Sequence, residues 1–315
     1  MRLPNPLRWV RSSPSARAHG ESRRLNRRAS WTAQVCAAQR AAETMRAPSR
    51  RRLEDPYSRH FVSHPALRVA LAHPLAARVF IAALGRSLPG VHDFVVLRVR
   101  YLDDVLDKAI ADGIDQIVLL GAGFDTTSVR WQQAGATIFE VDAPTTQRDK
   151  RTATEALPRT DHAHRIVWVP CDFESDALSE CLRDSGFDPA RRSVIAWIGV
   201  TMFLSREAID TTLTDLAALC APASQLVFDY IDPAVVSGHN VSASARRVAR
   251  TVASSGEPYR TGFTTTDIDA VLTGHGFSPQ DHAAAPELQQ RYASTRTDPL
   301  NGNDWLTILT AQRAS

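Results

Sequence analysis

Three short stretches hold the residues best suited to chemistry: Gly121-Ala122-Gly123, Asp142, and Asp172-Phe173. Asp142 lies 19 residues beyond Gly123, and Asp172 lies 30 beyond Asp142. Glycines at the end of a strand let the backbone approach a ligand closely, and a carboxylate about 20 residues further on can accept both hydroxyls of a ribose. A second carboxylate after the next strand can accept an adenine amino group, and the Phe173 ring can pack on the base. The set reads as a site for an adenosine. A dinucleotide site would want a third glycine, so that a helix N-terminus can receive a pyrophosphate. Asp125 occupies that neighbourhood; an acid there repels phosphate and tolerates the ammonium group of a methionine moiety. On that reading S-adenosyl-L-methionine fits better than NAD.

These residues need a scaffold that brings strand ends together. Gln116–Leu120 is an apolar run closed by the glycines, and Thr137–Val141 is another closed by Asp142. The pattern recurs at Arg165–Val169, Ser193–Ile198 and Gln225–Ile231, with helical stretches such as Arg206–Leu219 between. Strands alternating with helices predict an α/β fold with a doubly wound, mostly parallel sheet. A strand-like stretch after Gly276-Phe277 and a final strand at Asp304–Ala311, with a long connection over Asp281–Asn303, predict a terminal antiparallel hairpin. Ahead of the sheet, Val95, Val99, Leu102, Leu106 and Ile110 recur at helical spacing within Asp93–Asp112. Residues 29–92 read as a helical cap, with one helix over Ser30–Thr44 and two shorter ones that break at Pro74. The predicted organisation is therefore a disordered Arg-rich tail (1–28), the cap (29–92) and a cofactor-binding domain (93–315).

Charge is unevenly spread over the 315 residues. Residues 1–52 hold 13 of the 37 Lys and Arg against two acids, so the remainder carries 24 basic and 32 acidic residues. A body of that sign disfavours nucleic acid. Cys36, Cys171, Cys181 and Cys220 make no C-x-x-C and are expected to be reduced, buried thiols without structural zinc, in a cytoplasmic protein. No apolar run approaches the ~18 residues of a membrane span. Asp103, Asp104 and Asp107 spell D-D-x-x-D, but that metal-diphosphate chemistry belongs to an all-helical fold, so a solvated or capping face is expected. Asp161-His162-Ala163-His164 reads as a surface loop. No G-x-S-x-G is present for a serine hydrolase. Candidate bases are limited to guesses: His60, His64, His73 and His92 in the cap region, or Asp229, Tyr230 and His239 near the fifth strand.

From Ser30 onward the chain resembles the leucine carboxyl methyltransferase-like proteins, in particular a bacterial branch of O-methyltransferases. The stretches that carry the resemblance are TAQVCAAQRAAE (Thr32–Glu43), LRVRYLDD (Leu97–Asp104), QIVLLGAGFDT (Gln116–Thr126), FEVDAP (Phe139–Pro144), CDF (Cys171–Phe173), GFDP (Gly186–Pro189) and WIGVTMFL (Trp197–Leu204). The resemblance implies a Rossmann-like methyltransferase fold, with a helical cap over S-adenosyl-L-methionine. It also implies that Arg98 holds the methionine carboxylate, Asp142 the ribose, and Asp172 with Phe173 the adenine end. Arg40 is a weaker candidate for the same carboxylate or for substrate, and Met202, Phe203 and Tyr230 are candidate walls of the acceptor pocket. The acceptor is expected to be a small molecule methylated on a carboxylate or hydroxyl oxygen. Two residues depart from the family pattern: Thr127 stands where an arginine is common, and Ile198 where a glutamate is common. They leave open a cofactor-binding protein without turnover, and the strand–glycine–acid unit alone leaves open an NAD(P)-dependent oxidoreductase.

Overall fold

The computed structural model describes residues 31–131, 135–157, 166–173, 176–292 and 304–315. The expectations for the Arg-rich tail and for Asp161–His164 lie outside those residues. A leading helix α1 (Trp31–Thr44), two short helices α2 (Pro65–Ala70) and α3 (Pro74–Ser87), and the long α4 (Val91–Ala111) precede the first strand. The strands are β1 (Gln116–Leu120), β2 (Thr137–Asp142), β3 (Ile166–Pro170), β4 (Ser193–Trp197), β5 (Gln225–Ile231), β6 (Phe277–Ala284) and β7 (Leu306–Arg313). Helices α5 (Thr127–Arg130), α6 (Pro144–Glu155), α7 (Leu178–Asp184) and α8 (Arg206–Leu219) connect the first five. Between β5 and β6 run α9 (Pro233–Ser237), α10 (Ala243–Ser254) and α11 (Thr265–Gly274), and α12 (Ala285–Tyr292) follows β6.

The sheet order is β3-β2-β1-β4-β5-β7-β6. The first five strands pair in parallel, and β7 runs antiparallel to both β5 and β6. The fold is thus the mostly parallel α/β arrangement with a terminal hairpin. After β1 the chain winds to one side through β2 and β3, then returns to the other through β4, so the crevice between the carboxyl ends of β1 and β4 is the switch point where ligands sit. One boundary differs from expectation. The Asp281–Asn303 stretch does not connect as a simple loop, because β6 runs to Ala284 and α12 follows at once. The strand-like stretch expected after Gly276-Phe277 is β6, but its end is hidden: its residues are mostly small and polar, few are buried, and its register shifts between Pro279 and Asp281.

Alternation along each strand divides the core. Ile117, Leu119, Val194, Ala196 and Val227 pack against the Leu97–Leu106 face of α4. Val118, Leu120, Ile195, Trp197 and Phe228 pack against Ile209, Leu213 and Leu216 of α8. A third cluster joins Ala37, Ala38, Ala41 and Ala42 of α1 to Phe61, Phe124 and Val129. Small residues along one face of α1 let it lie directly over the segment that follows β1. No single described helix is long and apolar enough to cross a membrane.

At the base of the cap, buried Glu43 gathers Arg46, the Arg52 guanidinium and backbone N–H, and His92. Burial alone would raise its carboxyl, but the His92 bond and the charge of Arg52 hold it down at about 2 from an ordinary 4.5. The folded value lies below the unfolded one, so this stabilisation is complete above about pH 4.5 and lost as pH falls toward 2. Glu43→Gln is expected to cost on the order of 3 kcal/mol at neutral pH. Denaturant titrations should show that gap narrowing in acid.

Candidate active site

The loop after β1 is built for close approach. Gly121 and Gly123 have φ of 62° and 43°, a region side-chain-bearing residues rarely enter. A Cβ on Gly121 would lie 2.6 Å from Cγ2 of Val200, and one on Gly123 3.6 Å from Cβ of Ala33 on α1. The crevice is therefore bounded by the β4 loop on one side and the cap on the other. Beneath the loop, Glu140 of β2 and Lys150 of α6 form an ion pair at 2.7 Å, each side chain 1% exposed. Ser128 Oγ also donates to Glu140, and Lys150 Nζ donates to the Ala122 carbonyl at 3.3 Å. This buried pair braces the glycine loop against the second strand.

Asp142 ends β2 beside that loop. Its Oδ2 accepts the Gly123 N–H at 2.5 Å and its Oδ1 the Ala143 N–H at 2.7 Å. An ionised carboxylate has about four acceptor positions, so two remain for a ligand's hydroxyls. Burial pushes its carboxyl above the ordinary value, against the opposing pull of the Gly123 N–H and Lys150. The Asp142 carbonyl accepts the Cys171 N–H at 3.0 Å, which sets the end of β3, and hence Asp172 and half-buried Phe173, alongside Asp142. Asp172 is fixed by its own N–H donating to Asp176 Oδ2 at 2.8 Å.

Arg98 extends from α4 to the ends of β4 and β5. Its Nη1 donates to Asp229 Oδ2 at 2.6 Å, and Asp229 Oδ1 accepts the Gly199 N–H at 2.6 Å. Burial opposes the guanidinium charge, but Asp229 outweighs it and holds the group above its ordinary value. Among the described residues its buried Nε has no hydrogen-bond partner, and its Nη2 reaches only Cys36 Sγ, at 4.0 Å. One edge of the guanidinium is thus committed and the other is open for a carboxylate. Gly199, with φ of 77°, is required here, because a Cβ would stand 2.9 Å from Arg98 Nη2.

Several sequence expectations change. Arg40 is buried, its Nε donating to Asp55 Oδ2 at 3.0 Å and its Nη2 to the Phe124 carbonyl at 2.5 Å, so it ties the cap to the glycine loop. Asp125 does not present a free charge. Burial would raise its carboxyl, but Arg40, Lys150 and Arg130 lower it, and its Oδ1 accepts the Thr127 N–H at 2.7 Å. The argument that Asp125 repels phosphate therefore weakens, because three cations compensate it. Asp103, of the D-D-x-x-D run, accepts from Arg130 and Trp131. Thr127 is buried with its Oγ1 accepting from Arg130 at 3.3 Å, and Ile198 packs against the α4-side core.

On the acceptor side, Met202 is buried and its carbonyl accepts the Arg260 N–H at 2.8 Å. Phe203 packs on Tyr259 at 5.5 Å between ring centroids, and Tyr259 lies 6.5 Å from Trp305. Tyr259 is close enough to Cys36, Arg98 and Asp229 to feel their charges, and burial pushes its phenol well up. Tyr230 is not part of this group. It faces the other side of β5, where its hydroxyl meets Thr265 and His282, each at 3.2 Å. Two surface cavities, of about 500 and 420 Å³, lie elsewhere, beside Tyr101 and Arg291 and beside Arg100 and Trp131.

Asp229, Glu140, Lys150 and Tyr259 are the residues around this crevice that sequence reasoning missed or misassigned. For Asp229 and Glu140 a signal existed, since an acid inside an otherwise apolar strand must find a buried partner. The pairings themselves, across 131 and 10 residues, carried none.

The family model described as leucine carboxyl methyltransferase matches residues 33–217. A protein of Bacillus subtilis, provisionally named an S-adenosyl-L-methionine-dependent methyltransferase, is 29% identical over 206 residues, covering 65% of this chain and 67% of that protein. A similarly named protein of Mycobacterium avium is 31% identical over 228 residues, covering 72% of this chain and 69% of the relative. The crystal structure of a provisionally named methyltransferase from Thermobifida fusca superposes with a TM-score of 0.55 at 18% identity, covering 76% of this chain and 89% of that one; it shares the fold.

Proposed function

This chain belongs to the leucine carboxyl methyltransferase family, and we propose that it methylates a carboxylate oxygen of a small molecule with an apolar or aromatic body, a hydroxyl being the second choice. It is a methyltransferase whose cofactor is S-adenosyl-L-methionine. The family leaves no support for the NAD(P)-dependent alternative. The residues present fit the cofactor on one observation above all: the open Nε edge of Arg98, a buried donor with no hydrogen-bond partner, suits the methionine carboxylate. Asp142 has acceptor positions left for the ribose hydroxyls, and Asp172 with Phe173 stands at the adenine end. When bound, the cofactor supplies an electrophilic methyl on a sulfonium.

The chain's own residues align and exclude water, which suits an in-line transfer that needs little other help. Arg98 and Asp142 would fix the two ends of the cofactor, and α1 shields the crevice through Ala33. The preference for a carboxylate is supported by two of the candidate bases being engaged elsewhere or turned away. Asp229 is committed to Arg98 and the Gly199 N–H, and Tyr230 lies on the far side of β5. A carboxylate is already nucleophilic at neutral pH, whereas a hydroxyl benefits from a base. The Phe203–Tyr259–Trp305 cluster supplies the apolar wall. The experiment is a panel of aromatic and aliphatic acids and phenols with methyl-labelled cofactor. Label should enter acids and be released as methanol by mild alkali, the behaviour of an ester. Label confined to phenols and stable to alkali would contradict the carboxylate assignment.

A further inference from the structure

One residue before the adenine-end carboxylate sits a second equipped cluster. Cys171, Asp176 and Cys181 place two sulfurs and a carboxylate oxygen within 4.8 Å of one another. Cys171 directly follows β3 and is wholly buried, Asp176 lies on the bend beyond it, and Cys181 comes from the middle of α7 and is half-buried. The bend is closed by the Asp176 N–H donating to the Asp172 carbonyl at 2.8 Å and by the return bond from the Asp172 N–H to Asp176 Oδ2 at 2.8 Å. Three donors therefore converge from one strand end, one bend and one helix.

The donor set is selective. Two sulfurs with one carboxylate suit a thiophilic d¹⁰ cation, for which metal–sulfur bonds of about 2.3 Å and tetrahedral geometry put the sulfurs roughly 3.8 Å apart. Hard cations such as Mg²⁺ prefer all-oxygen shells. Two acids, Asp172 and Asp176, stand beside the buried Cys171. A peroxide-sensing dithiol is the poorer fit, because a reactive cysteine needs an electropositive setting that favours its thiolate.

We propose that Cys171, Asp176 and Cys181 bind one thiophilic divalent cation of the Zn²⁺ class, with water completing the tetrahedron. Binding exchanges the two thiol protons for two metal–sulfur bonds, with no oxidation or reduction. The spacing Cys-x4-Asp-x4-Cys matches no paired C-x-x-C, so a search for zinc patterns passes over it. Because Cys171 precedes Asp172 and Asp176 holds the Asp172 N–H, occupancy stiffens the bend that presents Asp172. That consequence rests on the adenine-end role of Asp172; the site itself does not.

The test is titration of the reduced, chelator-treated full-length protein with Cd²⁺, following the ultraviolet sulfur-to-cadmium charge-transfer band. The expected result is saturation at one equivalent, with Zn²⁺ competing. The band should be at least halved in Cys171→Ser and in Cys181→Ser, and retained in Cys36→Ser and Cys220→Ser. Asp176→Asn, which leaves both sulfurs in place, should keep the band and weaken affinity about tenfold. No band, or a band unchanged in both Cys171→Ser and half-exposed Cys181→Ser with folding verified by circular dichroism, overturns the proposal. A separate titration with S-adenosylhomocysteine reads the consequence: tighter binding in the Cd²⁺-loaded protein supports stiffening. Equal binding removes the consequence and leaves the metal site standing.

Discussion

Asp142→Ala is expected to weaken S-adenosyl-L-methionine binding about a hundredfold, roughly 2.7 kcal/mol, in a protein that remains folded. Two effects combine. The carboxylate loses the acceptor positions that would receive the ribose hydroxyls, and each charge-assisted hydrogen bond contributes about 1.5–3 kcal/mol. The Gly123 and Ala143 N–H groups also lose their acceptor, so the glycine loop loses its hold on the end of β2. Asp142→Asn separates the two effects. Its amide oxygen can keep one backbone bond while its NH₂ faces the other donor, so about half of the loss in free energy should return. Isothermal titration of the two variants beside the parent protein, with circular dichroism for folding, measures both. Equal affinity in all three would remove Asp142 from the cofactor site.

The second large effect concerns Arg98 and reads on stability as well as binding. Arg98→Met leaves Asp229 buried with the Gly199 N–H but without its cation, and stranding one partner of a buried pair costs about 3–5 kcal/mol. Adding Asp229→Asn removes the stranded charge while keeping an acceptor for Gly199, so the double variant should recover most of that stability. Cofactor binding should not recover, because the open guanidinium edge is still missing. Arg98→Lys keeps a charge near Asp229 but lacks the planar fork, and is expected to bind the cofactor at least tenfold more weakly. A double variant that regains stability and binding together would show that Arg98 acts only as a strut for Asp229.

The sheet was legible because its strands are short apolar runs punctuated by glycine or aspartate, and because the alternation with helices permits few topologies. Gly121, Gly123, Asp142 and Asp172 were legible for the same reason, since each closes a strand and a parallel sheet puts those ends together. What escaped depends on distance in the chain. Arg98 is marked by the family resemblance, but its pairing with Asp229, 131 residues later, is not. Asp125 was read as a bare charge because its compensating cations come from α1, α5 and α6. Arg40 also ties the cap to the glycine loop through Asp55 and the Phe124 carbonyl, a role its position in the chain does not reveal. The strand Phe277–Ala284 is marked at its start by Gly276 but lacks the apolar alternation that would show where it ends, since β7 alone pairs with it at the sheet edge. Thr127 and Ile198, which suggested a protein without turnover, are accommodated by packing and by Arg130, and neither disturbs the open edge of Arg98.

The central claim is that the crevice between β1 and β4 holds S-adenosyl-L-methionine, and calorimetric titration of the cofactor into the folded, full-length protein tests it most directly. The account predicts one site per chain, displaced competitively by S-adenosylhomocysteine and unaffected by NAD or NADP. A folded protein that takes up no S-adenosyl-L-methionine, or that binds a nicotinamide dinucleotide in its place, would contradict it.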